Sequence, residues 1–125
     1  MVSPASYYVA VVDDDPSLCR SVGRLLRAVG IYSIAYHSAE AFLADTKCPH
    51  FDCLLLDIQL DGMSGLELGE HLAASGSKAP IIYVTAHDEP EQRTEAMATG
   101  CAGYFRKTDP GTELIEAIRR VIGAK

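Results

Sequence analysis

The chain has 125 residues, a length that favours one domain with an ordinary hydrophobic core and no need of disulfide bonds. Hydrophobic residues make up 48% and charged residues 22%, which is typical of a soluble globular protein and excludes a disordered or fibrous one. The net charge of −6 argues against a broad basic surface for nucleic acid. We expect residues 1–125 to form one domain whose core lies within residues 7–122.

The four cysteines and four histidines lack the spacing of a zinc site or a disulfide framework. Free cysteine commonly packs as a small hydrophobe, so we expect structural thiols at Cys19, Cys48, Cys53 and Cys101. A metal site must therefore use carboxylates. The sequence has no signal-peptide pattern and no apolar run long enough to span a bilayer, which predicts a cytoplasmic protein with no membrane partner.

In the first third of the chain, apolar runs alternate with helical patterns. A β-branched and aromatic run predicts a strand at residues 7–12, after which Asp15 and Pro16 have the residue types that begin a helix. Gly30 would end this helix, and residues 31–36 predict a second strand. The predicted buried face of the helix comprises Leu18, Val22, Leu25, Leu26 and Val29.

The middle of the chain contains its most apolar strand pattern. Ser38 is a candidate cap for a short second helix. Residues 53–56 are apolar at every position, as expected of a central parallel strand that is covered on both faces, and Asp57 closes the run. A turn at residues 61–65 then precedes a third helix that ends near Gly76.

The last third repeats the alternation twice. Residues 81–84 predict a fourth strand that ends at Thr85, and residues 90–99 predict a polar helix whose thin apolar face suggests loose anchoring. Residues 103–106 predict a fifth strand that ends at Lys107, followed by a helix with an apolar stripe. Five alternating pairs predict an α/β fold, a flavodoxin-like doubly wound domain with a parallel sheet of order 2-1-3-4-5.

Polar residues follow four of the five predicted strands, and parallel sheets bind ligands at that edge. These residues are Asp13, Asp14, Asp57, Thr85 and Lys107. Each close pair of carboxylates would repel by about 4 kcal/mol at an effective dielectric constant of 20, which a small hard cation such as Mg²⁺ relieves. A carboxylate beside a metal ion and a lysine can attack phosphorus and form an aspartyl phosphate. Thr85 could then donate a hydrogen bond to one phosphoryl oxygen.

Four motifs in this order resemble the receiver domain of two-component response regulators, over a span from about Tyr8 to the C-terminus. They are the acidic segment 11–16, the strand end 54–57, the segment 84–86 with its threonine, and the pair Arg106 and Lys107. The resemblance implies a regulatory protein rather than an enzyme, one that accepts a phosphoryl group on Asp57 from a sensor histidine kinase. It also implies that the protein catalyses its own phosphorylation and dephosphorylation.

The resemblance further implies roles for individual residues. Asp14 and Asp57 would bind Mg²⁺ directly, Asp13 mainly through water, and Gln59 through its backbone carbonyl. Thr85 would move toward the phosphoryl group while Tyr104 turns inward, although Tyr104 is also compatible with an ordinary packed strand aromatic. The fourth helix, fifth strand and fifth helix would form the surface that responds.

Two further positions tune the phosphoryl lifetime in this family, and here they are Gln59 and His87. His87 would give hydrolysis a pH dependence near its titration range, and its alternative reading is a solvent-exposed loop histidine. One position departs from the family pattern, because Thr108 follows Lys107 where receivers usually have a proline after a cis peptide bond. A cis bond before threonine costs about 2.5 to 4 kcal/mol, so we expect a trans bond, which leaves the geometry of Lys107 open.

Three alternatives have different sequence requirements. A flavodoxin-like cofactor binder needs a phosphate loop after the first strand, where this chain has three aspartates. An aspartyl phosphatase needs a second carboxylate at the position of Gln59. A degenerate receiver that serves only as an interaction module commonly loses an acid, the acceptor or the lysine, and all of these are present.

The output of the switch is not encoded in these residues. Residues 38–43 and the overall spacing look most like receivers that precede a helix-turn-helix transcription domain, which makes control of transcription the expected output. Any contact with DNA would then belong to a separate or missing output domain, and the chain is either a stand-alone receiver or part of a longer protein. Many receivers also pair on phosphorylation, so a phosphorylation-dependent homodimer is a further expectation.

Overall fold

A computed structural model describes residues 6–45 and 50–123, and Cys48 lies outside them. The strands are β1 (Tyr7–Val12), β2 (Ile31–Tyr36), β3 (Cys53–Asp57), β4 (Ile81–Thr85) and β5 (Gly103–Arg106). The helices are α1 (Pro16–Ala28), α2 (Ala39–Ala44), α3 (Gly65–Ala74), α4 (Pro90–Ala98) and α5 (Gly111–Gly123). All strand pairs are parallel and the order is β2-β1-β3-β4-β5, which confirms the predicted fold class.

Strand β3 lies at the centre of the sheet and is buried at all five positions. Its Leu56 lies opposite Val12 of β1, and its Asp57 lies opposite Val84 of β4. Because neighbouring strands run in the same direction, their carboxyl ends meet at one edge of the sheet. This register places the residues that end β1, β3 and β4 side by side.

Two apolar cores flank the sheet, because successive side chains of a strand point to opposite faces. Leu55 and Val84 pack on one face with residues of α1 and α5. Leu54, Leu56 and Tyr83 pack on the other face with residues of α2 and α3. This two-sided burial is the reason that the central strands are apolar at consecutive positions.

The predicted buried face of α1 was partly wrong. Cys19, Val22 and Leu26 are buried, whereas Leu25 is 37% exposed and Val29 is 38% exposed. Val29 lies beyond the last helical residue, at the C-cap, so its side chain leaves the helical stripe. Cys19 lies on the buried face instead, where its thiol packs as a small hydrophobe in the core.

The predicted caps of α1 and α2 are both present. The Asp15 side chain accepts hydrogen bonds from the first turn of α1, and the Ser38 side chain accepts one from Ala41. Helix α4, in contrast, has Glu89 at its N-cap with no side-chain hydrogen bond, and it buries only Ala96. The thin apolar face expected of this helix is therefore confirmed.

The start of α3 approaches the backbone of β3 closely. A Cβ atom at Gly65 would overlap the backbone carbonyl of Asp57. The amide of Gly65 also donates a hydrogen bond to the carbonyl of Ile58, with a nitrogen-to-oxygen distance of 3.1 Å. Only glycine fits here without a shift of the segment that presents Asp57.

We expect Gly65→Ala to lower the free energy of unfolding by roughly 1 to 3 kcal/mol, because the added methyl group forces backbone atoms apart. Urea denaturation measures this change. Gly123→Ala is the control, because a Cβ at Gly123 meets open space, and it should alter the free energy by less than about 0.5 kcal/mol. Equal effects of the two substitutions would contradict the close approach.

Candidate functional site

Four of the predicted site residues meet at the carboxyl edge of the sheet. The Nζ atom of Lys107 lies 3.1 Å from Oδ2 of Asp57 and 3.0 Å from Oδ2 of Asp13. Carboxylate oxygens of Asp13, Asp14 and Asp57 lie within 4.8 Å of one another. Residues that are 94 positions apart in the sequence therefore form one charged cluster.

Short backbone contacts hold the acids in place. The amide of Asp13 donates to the carbonyl of Tyr36 at 2.9 Å, and Oδ1 of Asp13 accepts from the amide of Asp15, also at 2.9 Å. In the same manner, Oδ1 of Asp57 accepts from the amide of Gln59 at 3.0 Å. Asp13 and Asp57 are each only 2% exposed, whereas Asp14 is exposed to solvent.

Lys107 reaches the acids without the proline that usually follows this lysine. Residues 6–45 and 50–123 contain no cis peptide bond, as expected for the step to Thr108. The amide of Lys107 donates to the carbonyl of Thr85 at 2.8 Å, which fixes the start of the loop after β5. Asp109 closes the same loop by accepting from the amide of Arg106 at 2.8 Å. The position of Lys107, which the sequence left open, therefore brings it into direct ion pairs with Asp13 and Asp57.

Burial and charge shift the titration of the cluster. Burial is the largest cause that raises the pKa of Asp57 from 3.8 to about 6, and the charge of Asp13 adds to it, while Lys107 partly offsets both. For Lys107, burial is the largest single effect and lowers the pKa, but hydrogen bonds and charges from Asp13 and Asp57 outweigh it, so the pKa is raised. The lysine is therefore cationic at neutral pH.

The same residues fit a small divalent cation. Within the part of the chain that the structure describes, Oδ2 of Asp13 is buried and accepts no hydrogen bond from a backbone or hydroxyl group, and its charged neighbour is Nζ of Lys107 at 3.0 Å. One lysine faces three carboxylates, so the cluster keeps an excess of negative charge. Mg²⁺ prefers carboxylate oxygens as protein ligands. Because Asp14 is exposed to solvent, the site also has room for the water molecules that Mg²⁺ retains. The acidic pocket can therefore bind a metal ion.

Thr85 lies at the end of β4 and is completely buried. Its hydroxyl contacts Oε1 of Gln59 at 2.9 Å and the backbone carbonyl of His87 at 2.9 Å. It also accepts hydrogen bonds from the amide of His87 at 3.1 Å and from Nε2 of Gln92 at 2.9 Å. Within the described residues, the Thr85 hydroxyl forms no hydrogen bond with Asp57.

The remaining predicted residues lie around this threonine. Tyr104 is half-buried, and its hydroxyl donates to Asp88 at 3.0 Å. The side chain of His87 is exposed, so only its backbone takes part in the contacts described. The side chain of Gln59 forms hydrogen bonds with the Thr85 hydroxyl, the backbone amide of Ala86 and the Gln92 side chain. The structure thus gathers the predicted residues into an ionic cluster and an adjoining network of neutral groups.

Comparison with known proteins decides the family. A family model described as the response regulator receiver domain matches residues 9–119. The chain is 36% identical over 110 residues to Nodulation protein W of Bradyrhizobium diazoefficiens, covering 88% of this chain and 48% of that protein. It is 35% identical over 121 residues to Transcriptional regulatory protein FixJ of Azorhizobium caulinodans, covering 96% of this chain and 57% of that protein.

This chain belongs to the response regulator receiver domain family. A crystal structure of a response regulator receiver protein from Burkholderia phymatum matches it with a TM-score of 0.81 and 39% identity, covering 94% of this chain and 96% of the other. The chain spans about half the length of the curated relatives it matches, at 48% and 57% for the two named above. Receivers of this family are regulatory phospho-acceptors that work with histidine kinases.

The sequence did not point to Gln92 of this receiver, although it contacts more of the site than His87 does. Its Nε2 lies 2.9 Å from the Thr85 hydroxyl and 3.2 Å from the Tyr104 hydroxyl, and its Oε1 accepts from Gln59 at 2.7 Å. Glutamine on a polar helix is an ordinary surface residue. Its position in the first turn of α4, which directly follows the loop after Thr85, is the signal that could have revealed it.

No helix in residues 6–45 and 50–123 of this receiver has the length and apolar character needed to cross a membrane.

The raised pKa of Asp57 predicts a pH-dependent stability for the metal-free protein. A carboxyl whose folded pKa exceeds its unfolded pKa favours folding while it is protonated, and this contribution is lost as the pH rises from 3.8 through about 6. We therefore expect Asp57→Asn to become progressively more stable than the unaltered protein over that range, with a constant difference above it. Urea denaturation in EDTA from pH 4 to 8 measures the difference, and a difference that is independent of pH would contradict the burial of an ionising Asp57.

Proposed function

We propose that Asp57 accepts a phosphoryl group from a partner histidine kinase in the presence of Mg²⁺ and that this changes the surface formed by α4, β5 and α5. The observation that carries the proposal is the ion pair at 3.1 Å between buried Asp57 and Lys107, beside two further carboxylates. Membership of the receiver family supports it.

The proposed chemistry follows from the groups in the cluster. A carboxylate oxygen of Asp57 forms a bond to phosphorus while the bond from phosphorus to the histidine nitrogen of the donor breaks. Lys107 is cationic and within hydrogen-bonding distance of the acceptor, so it neutralises charge on the transferred group. Thr85 donates to a phosphoryl oxygen after its hydroxyl leaves its present partners. Lys107 and Thr85 thereby assist the receiver in its own phosphorylation and dephosphorylation.

The proposed metal ligands are Asp13, Asp14, Asp57 and the backbone carbonyl of Gln59. That carbonyl accepts no hydrogen bond within the described part of the chain, which leaves it available. Bound Mg²⁺ supplies positive charge that stabilises the phosphoryl oxygens. Asp14, as the exposed member, faces the side from which metal and donor enter.

The proposed switch uses Thr85 and Tyr104. A dianionic group on Asp57 shifts a conformational equilibrium only if one conformation binds it better, and a donated Thr85 hydrogen bond supplies that difference. Tyr104 lies on β5 next to the loop that follows Thr85, so its rotation transmits the change to the α4–β5–α5 surface. Sedimentation velocity with and without beryllofluoride tests whether this surface then forms a homodimer.

We further propose that residues 1–125 form one cytoplasmic receiver domain whose output is control of transcription. The relatives named as transcriptional regulators support the output, and DNA contact would belong to an output domain outside these residues. A degenerate receiver that acts only by protein interaction is the competing function. The degenerate receiver would bind neither Mg²⁺ nor a phosphoryl group at Asp57, which distinguishes the two functions.

Phosphoramidate, a small donor with a phosphorus-to-nitrogen bond, should label the receiver in the presence of Mg²⁺. Asp57→Asn and EDTA should abolish the label, and Lys107→Ala should slow its formation about 100-fold, because a positioned cation next to the transferred group is lost. Intact-protein mass spectrometry and peptide mapping measure the label.

Asp61→Asn is the matched control, because Asp61 is an exposed aspartate in the turn after β3, and it should be labelled at the normal rate. A protein that binds no Mg²⁺ and takes no label on Asp57 would establish the degenerate receiver instead.

His87 and Gln59 are proposed to tune the phosphoryl lifetime. We expect the decay of phospho-Asp57 to vary between pH 6 and 8 and His87→Ala to reduce that variation, because imidazole titrates in this range. The substitution leaves the backbone contacts of position 87 with Thr85 intact, so the fold of the loop is preserved. Decay rates that respond to pH equally in both proteins would leave His87 as an ordinary loop residue.

A further inference from the structure

Gln92 is the one side chain among the described residues that hydrogen-bonds to both proposed switch residues. The two protons of its Nε2 are shared among three acceptors, which are the Thr85 hydroxyl at 2.9 Å, the Tyr104 hydroxyl at 3.2 Å and the backbone carbonyl of His87 at 2.8 Å. Its Oε1 accepts from Nε2 of Gln59 at 2.7 Å. One amide group thus joins the loops after β3 and β4 to strand β5.

The contacts of Thr85 leave its hydroxyl no capacity for a further partner. A hydroxyl has one proton and two lone pairs. Both lone pairs are used by donors, the Nε2 of Gln92 and the amide of His87, and the proton is shared between Oε1 of Gln59 and the carbonyl of His87. A new hydrogen bond from Thr85 to a phosphoryl oxygen therefore requires the present arrangement to break.

Helix α4 depends on these polar contacts for its position. It buries Ala96 alone and has no side-chain cap at Glu89. Beyond Gln92, its links to β5 among the described residues run through Arg93, which lies 5.0 Å from the Tyr104 ring centroid and pairs at 3.4 Å with exposed Asp88. An exposed ion pair contributes little, so the partly buried amide contacts of Gln92 are the main polar anchor of the helix start.

We infer that Gln92 is a positioning residue that holds Thr85, Tyr104 and α4 in the unphosphorylated arrangement and so opposes the switch. The inference rests on the proposed function of Asp57. When Thr85 turns to the phosphoryl group, the hydrogen bond to Gln92 is lost, and the start of α4 and the hydroxyl of Tyr104 are released together. Removing the amide therefore favours the phosphoryl-bound conformation before any phosphoryl group arrives.

The test is beryllofluoride binding to the 125-residue protein in saturating Mg²⁺. Gln92→Met keeps the length of the side chain and removes its hydrogen bonds, and Gln92→Ala adds a strong helix former at the same position. We expect both to lower the half-saturating beryllofluoride concentration about five- to tenfold, which corresponds to roughly 1 to 1.4 kcal/mol. Glu95→Ala, one turn further along an exposed part of α4, is the control and should leave it within about twofold.

Nuclear magnetic resonance of the ligand-free proteins gives a readout that simple destabilisation does not move. In Gln92→Met, the signals of Thr85 and Tyr104 should shift toward the positions that the unaltered protein reaches with beryllofluoride. Unchanged or weaker beryllofluoride binding by the Gln92 variants would overturn the inference alone. Failure of the unaltered protein to bind beryllofluoride would overturn the proposed function, and the inference with it.

Discussion

The ion pairs of Lys107 with Asp13 and Asp57 are the interactions on which the site depends. Two carboxylates that are almost completely buried would repel strongly in a medium of low dielectric constant without a cation between them. The lysine meets this requirement in part, because its single positive charge faces the three carboxylates of Asp13, Asp14 and Asp57. The site therefore keeps a net negative charge, which favours the binding of a metal ion. The positive charges of that ion and of Lys107 would then face an incoming phosphoryl group.

The sheet converts this local requirement into a global one. Asp13 follows β1, Asp57 ends β3 and Lys107 follows β5, so they meet only when the strands have the order observed here. The burial of β3 on both faces excludes water from the base of the site, and Gly65 lets α3 approach the backbone of Asp57. A change in strand order, or a displacement of α3 from the backbone of Asp57, would therefore separate the charged groups of the site.

Much of the fold and the ionic part of the site could be predicted from the sequence, because strand ends and residue charge are local signals. Asp57 closes an apolar run, and Asp15 and Pro16 announce a helix. Lys107 was expected among the acids, but its contact geometry was left open, because the path of its loop depends on the hydrogen bond from the Lys107 amide to the Thr85 carbonyl. Gln92 was missed because its contacts with Thr85 and Tyr104 depend on the orientation of α4 against the sheet. The buried side of α1 was misjudged because the apolar stripe was assigned from the larger aliphatic residues, which include exposed Leu25 and leave out buried Cys19.

The weak apolar burial of α4 has a consequence for the temperature response of the receiver. In the proposed switch, a helix that buries Ala96 alone exchanges polar contacts and little apolar surface. The heat-capacity change of a transition scales with the apolar surface that it exposes, so the transition of α4 carries a small one. The enthalpy of this transition is consequently nearly constant over the temperatures at which a cell grows. The free energy of unfolding of the two cores, in contrast, curves strongly with temperature.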